Sequence, residues 1–289
     1  MFFHLAILEL KRKLLKAAHT AEVDLTDICN LRCSHCYHFD GKDEFQKVKL
    51  TIDVWRERFE GLYKNGIRLV LLVGGEPALR QDALKLADEI FPYIFVITNG
   101  MIKMPGEFHH TLFVSIDGKE STNDAIRGKG VFAKVLKNYS GDKRVIINMT
   151  INMMNYQELE EVVWVAKNNG FRGVVCNLYT PTLGKSNPMF IHNDQRKIII
   201  SELKRVKSQY PSDFLHTERM IKWYEFPDHR GYCYWGDSVL HHDVTWKTRR
   251  CFGDKADCSN CGCLAGSIQS PLTMINYPME MSRILLKRQ

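Results

Sequence analysis

The sequence predicts an α/β fold: a parallel sheet of about six strands, short of the eight of a closed barrel, with helices between the strands and a small cysteine-rich extension behind them. Three observations carry this reading. Short runs rich in Val, Ile and Leu, such as residues 67–73, have the continuous apolar character of strands buried on both faces. Segments with helical spacing stand between them, and strands alternating with helices mean βαβ units. Eight of the nine cysteines fall into two groups, at residues 29–36 and 233–263, so the chemistry-bearing residues change character along the chain. The 289 residues divide into an N-terminal amphipathic helix (1–20), the barrel (21–212) and a cysteine-rich C-terminal region (213–289).

Residues 1–20 set Leu5, Leu8, Leu14 and Leu15 against Lys11, Arg12, Lys13 and Lys16 at helical spacing, and residues 279–288 have the same character. Each end reads as a basic amphipathic helix that either packs on the body of the protein or lies on an anionic membrane surface. The first strand spans 21–25. Thr51 then caps a helix that runs to the glycine stop Asn65-Gly66. Strand 67–73, helix 82–90, strands 93–97 and 112–116, helix 130–139, strand 144–152, helix 156–169 and strand 173–178 follow. Residues 180–188, with Pro181, Gly184 and Pro188, form a loop, and helix 193–209 closes the barrel before Tyr210-Pro211. Beyond this point residues 238–245 read as a short hairpin.

With 45% hydrophobic and 25% charged residues, the chain can build one sizeable core. It has no run of eighteen apolar residues, so no membrane-spanning helix is expected. The apolar start precedes its positive charges, the reverse of a signal peptide. The thiols are spaced like ligands rather than disulfides, which points to a reducing, cytoplasmic location, with membrane association resting on the two terminal helices. A net charge of +7 is moderate and spread along the chain. It describes a solvated basic surface, and no nucleic-acid partner is expected.

Cys29-Asn30-Leu31-Arg32-Cys33-Ser34-His35-Cys36 leaves the first strand. Three thiolates on one short loop suit three corners of an iron–sulfur cube and leave a fourth iron open. A zinc knuckle is the alternative, with His35 as a fourth ligand. The spacing, with His35 before the third cysteine, resembles the CxxxCxφC signature of the radical S-adenosylmethionine (SAM) superfamily. The resemblance implies the incomplete (β/α)6 TIM-type barrel of that family, with Cys29, Cys33 and Cys36 on a catalytic [4Fe–4S] cluster whose open iron chelates SAM. It also implies reductive cleavage of SAM to methionine and a 5′-deoxyadenosyl radical.

Further motifs sit at strand ends, where such barrels gather their sites. Gly74-Gly75-Glu76-Pro77 follows the second strand: two glycines allow close backbone approach, and Glu76 offers an acceptor for a cation. It is similar to the family's GGEP turn for the SAM amino group. Thr98 and Asn99 end the third strand, and Ser115 and Asp117, on one side of the fourth strand's end, match positions common in the family, Ser115 near the SAM methionine or ribose. Asn123-Asp124-Ala125-Ile126-Arg127-Gly128 looks like the HDxxRG segment of SPASM and twitch enzymes, with Asn123 in place of histidine and Arg127 as a fork for the methionine carboxylate. Asn148, Thr150 and Asn152 share one face of the fifth strand and would meet the ribose. Leu178 ends the strand that cradles adenine in the family. Cys176 beside it reads as a small core residue or as a hydrogen-atom donor.

Cys233, Cys251, Cys258 and Cys261, with Cys263 as a spare or alternative ligand, resemble a reduced SPASM or twitch domain. Five cysteines suit one auxiliary [4Fe–4S] cluster rather than two, and a structural zinc is the alternative. The tight CxxCxC and the absence of a glycine turn depart from the family pattern, and His241 and His242 are further candidate ligands. The overall layout is also similar to that of radical SAM enzymes that form adenosylhopene. These resemblances imply a radical SAM enzyme acting on a lipid, isoprenoid or small metabolite, fed by an electron donor such as ferredoxin or flavodoxin. A peptide substrate is the alternative within the family, and a non-enzymatic zinc- or cluster-binding module the alternative outside it.

Overall fold

A computed structural model describes residues 18–40, 49–230, 233, 235–236, 239–251, 253 and 255–268. The two expected terminal amphipathic helices lie outside these residues, apart from the last three of 1–20. Seven parallel strands run in the order β6-β5-β4-β3-β2-β1-β7. They are β1 (Thr20–Asp24), β2 (Leu69–Val73), β3 (Tyr93–Thr98), β4 (Thr111–Ser115), β5 (Val145–Ile151), β6 (Val174–Leu178) and β7 (Leu240–His242). The helices are α1 (Tyr37–Asp40), α2 (Ile52–Lys64), α3 (Gln81–Ile90), α4 (Glu120–Arg127), α5 (Val131–Tyr139), α6 (Leu159–Asn168), α7 (Asn193–Gln209), α8 (Glu218–Trp223) and α9 (Leu264–Ile268). This is the incomplete TIM-type barrel expected, with one strand more. Among the described residues no helix is long and apolar enough to cross a membrane.

Strand alternation divides the core in two. Val70, Leu72, Val96, Leu112 and Val114 point out and pack under the helices with Trp55, Phe59 and Val135. Leu69, Leu71, Val73, Phe95, Phe113, Ile146 and Val175 point into the barrel. Inside, they meet Leu215, Met220, Trp235, Val239 and Leu264, so the C-terminal region completes the interior core.

The seventh strand corrects one expectation. Residues 238–245 do turn back, with Asp243 Oδ1 accepting from the Thr245 and Lys247 amides at 2.8 and 2.9 Å, but the antiparallel pairing is one bridge, His242 to Thr248. The main partner of Leu240–His242 is β1, in parallel register Ala21↔Leu240 to Val23↔His242. The exposed backbone edge of β1 takes up those hydrogen bonds, which a local propensity argument cannot see. At the other end β6 is covered by a parallel bridge from Phe214 to Val174 and a Leu215 amide bond to the Val174 carbonyl of 2.9 Å. A second difference is α4, a helix not among those expected, which carries Asn123 and Arg127 and ends at Gly128 with φ 121°.

Candidate active site

The cysteine loop is held down by the turn after β2. The Gly75 amide donates to the Thr26 carbonyl at 2.7 Å and the Glu76 amide to that of Ile28 at 2.9 Å. A Cβ on Gly75 would lie 2.4 Å from the Ile28 oxygen and one on Gly74 2.6 Å from the Thr26 oxygen, so glycine is required for the two loops to touch. Both glycines therefore serve the approach of the segment leading into Cys29, and both also line the cavity below.

Glu76 and Asp117 are the two buried carboxylates around which this end of the barrel is built. Glu76 Oε1 accepts from the Ala78 amide at 2.8 Å and Thr98 Oγ1 at 2.7 Å, and its Oε2 from the Asn99 amide at 2.7 Å. Most of its acceptor capacity, expected for a cationic ligand, is thus used inside the fold, and burial pushes its carboxyl up despite these donors. Asn99 in turn bonds Asn30 Oδ1 at 2.8 Å and reaches Cys29 Sγ at 3.7 Å.

Asp117 Oδ2 lies 2.6 Å from both His35 Nε2 and Arg127 Nη2, and its Oδ1 accepts from the Thr150 amide at 2.7 Å. Asn123 Oδ1 accepts from the Asp117 amide at 3.0 Å, a role found for a residue that departs from the family pattern. Asp117 is fully buried and does not line the cavity, so it stands behind the lining residues. It orients His35 and Arg127, both of which do line it. Arg127 Nη1 sits 3.9 Å from Cys33 Sγ, and its buried Nε has no hydrogen-bond partner.

Burial alone would raise Asp117, but Arg127 and His35 outweigh it and hold the carboxyl at about 2, against an ordinary 3.8. A depressed carboxyl stabilises the fold above its unfolded value and loses that contribution as pH falls through its folded value. Between pH 4 and 2 the protein should therefore lose about 2 kcal/mol from this group. Asp117→Asn should flatten that stretch of a stability–pH curve measured by urea unfolding.

Three thiols face one space. Cys29, Cys33 and Cys36 line the cavity under the loop together with Ser115, Asn148, Thr150 and Leu178. Asn152 does not. Its amide is spent on the Thr150 carbonyl at 3.0 Å and the Met154 amide at 2.8 Å, so it shapes the turn after β5. Cys176 points the other way, into the outer core, with Sγ 3.4 Å from His216 Nε2, which removes the hydrogen-donor reading.

From the opposite side Cys251 and Cys263 line the same cavity, Cys251, Cys233 and Cys258 stand close enough to raise the Cys261 thiol, and Cys251 close enough to raise Cys258. Cys261-Gly262-Cys263 is strapped to the end of β6. The Leu178 amide donates to the Gly262 carbonyl at 2.9 Å, the Gly262 amide to Thr180 Oγ1 at 2.9 Å, and Arg196 Nη2 to the Cys261 carbonyl at 2.6 Å. A Cβ on Gly262 would come within 2.0 Å of the Leu178 oxygen. Gly262→Ala is therefore expected to destabilise by about 1–3 kcal/mol and to deplete metal at the second thiol set, read by thermal unfolding and metal analysis.

Burial raises Cys29 and Cys33 and pushes Cys36 up to about 11, so the thiolates need a positive centre to form. Among the described residues the one trio of ligand-type groups within 4.8 Å is Asp24, Asp27 and His38.

Several functional positions were missed in the sequence. Glu22, Phe95, Phe113, Asn177 and Trp235 line the cavity, and Arg249 bonds Glu22 and Asp24 at 2.9 and 2.8 Å. The signal was available for Glu22 and Asp24, two acidic residues at alternate positions of a buried strand.

A parallel partial barrel with thiols of two sets facing one cavity at the C-terminal ends of its strands places the site where (β/α) barrels gather their functional residues. The sequence profile of the radical SAM superfamily matches residues 23–186, and the chain belongs to that superfamily. Residues 31% identical over 163 positions relate it to the sporulation killing factor maturation protein SkfB of Bacillus subtilis, covering 51% of this chain and 39% of the relative. A pre-heme d1 synthase of Dinoroseobacter shibae is 31% identical over 162 residues, 51% of this chain and 40% of the relative. The chain thus matches about two fifths of the length of these relatives. Streptococcus suis SuiB bound to precursor peptide SuiA has the same fold, with a TM-score of 0.65 at 15% identity over 91% of this chain and 68% of that one. Membership of that superfamily implies a [4Fe–4S] cluster and SAM.

Proposed function

We propose that this enzyme directs a 5′-deoxyadenosyl radical at an unactivated carbon of a peptide. The observation that carries the chemistry is the convergence of Cys29, Cys33 and Cys36 on one cavity at the C-terminal mouth of the barrel. In this reading the three thiolates hold three irons of a [4Fe–4S] cluster. Gly74, Gly75 and the remaining lone pair of Glu76 take the SAM amino group. The unpartnered Arg127 Nε is an available donor for its carboxylate, Ser115, Asn148 and Thr150 meet the ribose, and Leu178 packs on adenine. Thr98, Asn99, Asp117 and Asn152 fix the loops that present these groups.

When bound, the cluster supplies the electron that cleaves SAM. The chain binds and orients SAM and substrate and keeps water from the radical. Cys251, Cys258, Cys261 and either Cys233 or Cys263 would hold an auxiliary cluster, with structural zinc as the alternative there.

The peptide assignment draws on the likeness to SkfB and to SuiB, whose structure is with a precursor peptide. The lipid or isoprenoid expectation leaned on the terminal helices, which lie outside the described residues, and no compared protein named here acts by its name on a lipid. A small metabolite is the second reading, favoured by the likeness to a pre-heme d1 synthase. Anaerobically reconstituted enzyme with SAM and dithionite, or a ferredoxin or flavodoxin system, should form 5′-deoxyadenosine. SAM recovered intact would refute the chemistry.

A further inference from the structure

The cavity is divided by chemistry. On the side of β4–β6, Ser115, Asn148, Thr150 and Asn177 present hydroxyls and amides. On the side of β2–β4, Leu69, Leu71, Phe95 and Phe113 form a hydrocarbon wall, the two rings edge to face with centroids 5.5 Å apart. Trp235 and Leu264 close this half from the C-terminal region. SAM is polar along its length, so it belongs with the hydroxyls and amides and with the Gly74-Gly75-Glu76 turn and Arg127 at the mouth, because buried polar groups must find partners. The half that remains for substrate is apolar.

At the mouth of that half Glu76, Thr98 and Asn99 are largely bonded to one another, and deeper, beside Leu71 in the sheet, Glu22 is a further polar group. Glu22 lines the cavity, with Oε1 2.9 Å from Arg249 Nη2 and 3.5 Å from His241 Nδ1, and Oε2 accepting from Trp235 Nε1 at 3.3 Å. A carboxylate has about four acceptor directions, so Oε2 keeps one. A bare hydrocarbon packed there would remove water from the carboxylate and replace nothing. A peptide residue brings an apolar side chain together with a backbone N–H.

Resting on the peptide reading above, we propose that this half of the cavity takes an aliphatic or aromatic residue of the substrate. Its side chain packs on Leu71, Phe95 and Phe113, and its backbone N–H donates to Glu22. The reaction would transfer one hydrogen atom from that side chain to the 5′-deoxyadenosyl radical, giving 5′-deoxyadenosine and a carbon radical on the substrate.

The test uses the holoenzyme with SAM and four probes: N-acetyl-leucinamide, its N-methylated analogue, N-acetyl-lysinamide and farnesol, each with a deuterated side chain or chain. Binding is followed by saturation-transfer NMR without reductant, and deuterium in 5′-deoxyadenosine by mass spectrometry after adding dithionite. N-acetyl-leucinamide should exceed N-acetyl-lysinamide by about tenfold in both, the size expected for burying one aliphatic side chain. N-methylation should weaken binding several-fold in the wild type and much less in Glu22→Gln, and Leu71→Glu should reverse the leucine-to-lysine ratio. Equal binding of the two amides, no effect of N-methylation, or farnesol outperforming both would overturn the inference, even if the variants fail to fold. Failure of the broader reading is separate: the wild type would then form no 5′-deoxyadenosine with dithionite, while the binding ratios would still be measured.

Discussion

Replacing Cys29, Cys33 and Cys36 together by alanine is expected to lower the iron content of the anaerobically reconstituted protein from about eight to about four per chain, each cube carrying four irons. It should also abolish reductant-dependent 5′-deoxyadenosine, as should Cys33→Ala alone. The loop holding these thiols is tied by its backbone to the Gly74-Gly75-Glu76 turn and by Ser34 to the Ile126 carbonyl at 3.2 Å. The change deletes ligands and leaves that scaffold in place, so the fold should persist. Iron and sulfide analysis alongside the product assay separates the outcomes. A fall from about four irons to none, with zinc retained, would make the second thiol set a structural zinc site. Cleavage of SAM by the triple variant would sink the assignment of the catalytic thiols.

Arg249→Met is expected to have the largest effect on stability. The guanidinium is buried between the carboxylates of Glu22 and Asp24, at 2.9 and 2.8 Å. Its other arm donates to the Arg250 carbonyl at 2.7 Å and to the carbonyl of Cys251. It therefore fastens a ligand of the second thiol set to the first strand of the barrel. Burial alone would raise Glu22, but Arg249 and His241 outweigh it and hold the carboxyl below its ordinary value, so removing the cation leaves buried negative charge uncompensated. Breaking such a pair costs about 3–5 kcal/mol. The loss should appear in anaerobic urea unfolding, with metal lost first from the second set. Combining Arg249→Met with Glu22→Gln and Asp24→Asn should recover most of the stability, since no net charge is then stranded. An unchanged midpoint for the single variant would show that the network carries no strain-bearing charge.

Much of the site was legible because its signals are local. The spacing of Cys29, Cys33 and Cys36, the Gly74-Gly75-Glu76 turn and the strand-end positions of Ser115 and Asn148 each follow from residue type and period along one segment. What the sequence concealed was which polar groups are free. Glu76, Asp117 and Asn152 look alike as polar residues at strand ends, yet Asn152 is spent on its own turn and the other two mostly on partners up to 82 residues away, as in the Asp117 to His35 contact. Cys176 and Asn177 are neighbours in sequence but face opposite sides of β6, a parity that depends on the register with β5.

The order of the first six strands, the three-thiol loop after the first of them and the existence of a second thiol set were legible in the sequence itself. They depend on hydrophobic period and ligand spacing, which are properties of contiguous residues. Only the tertiary structure decided that β7 joins the sheet edge of β1, that Arg249 bridges the two ends of the chain, and that both thiol sets share one cavity with a polar and an apolar half. Those features arise from long-range closure of backbone edges and buried charges, each satisfied by whichever group the fold brings near, and no local pattern encodes that choice.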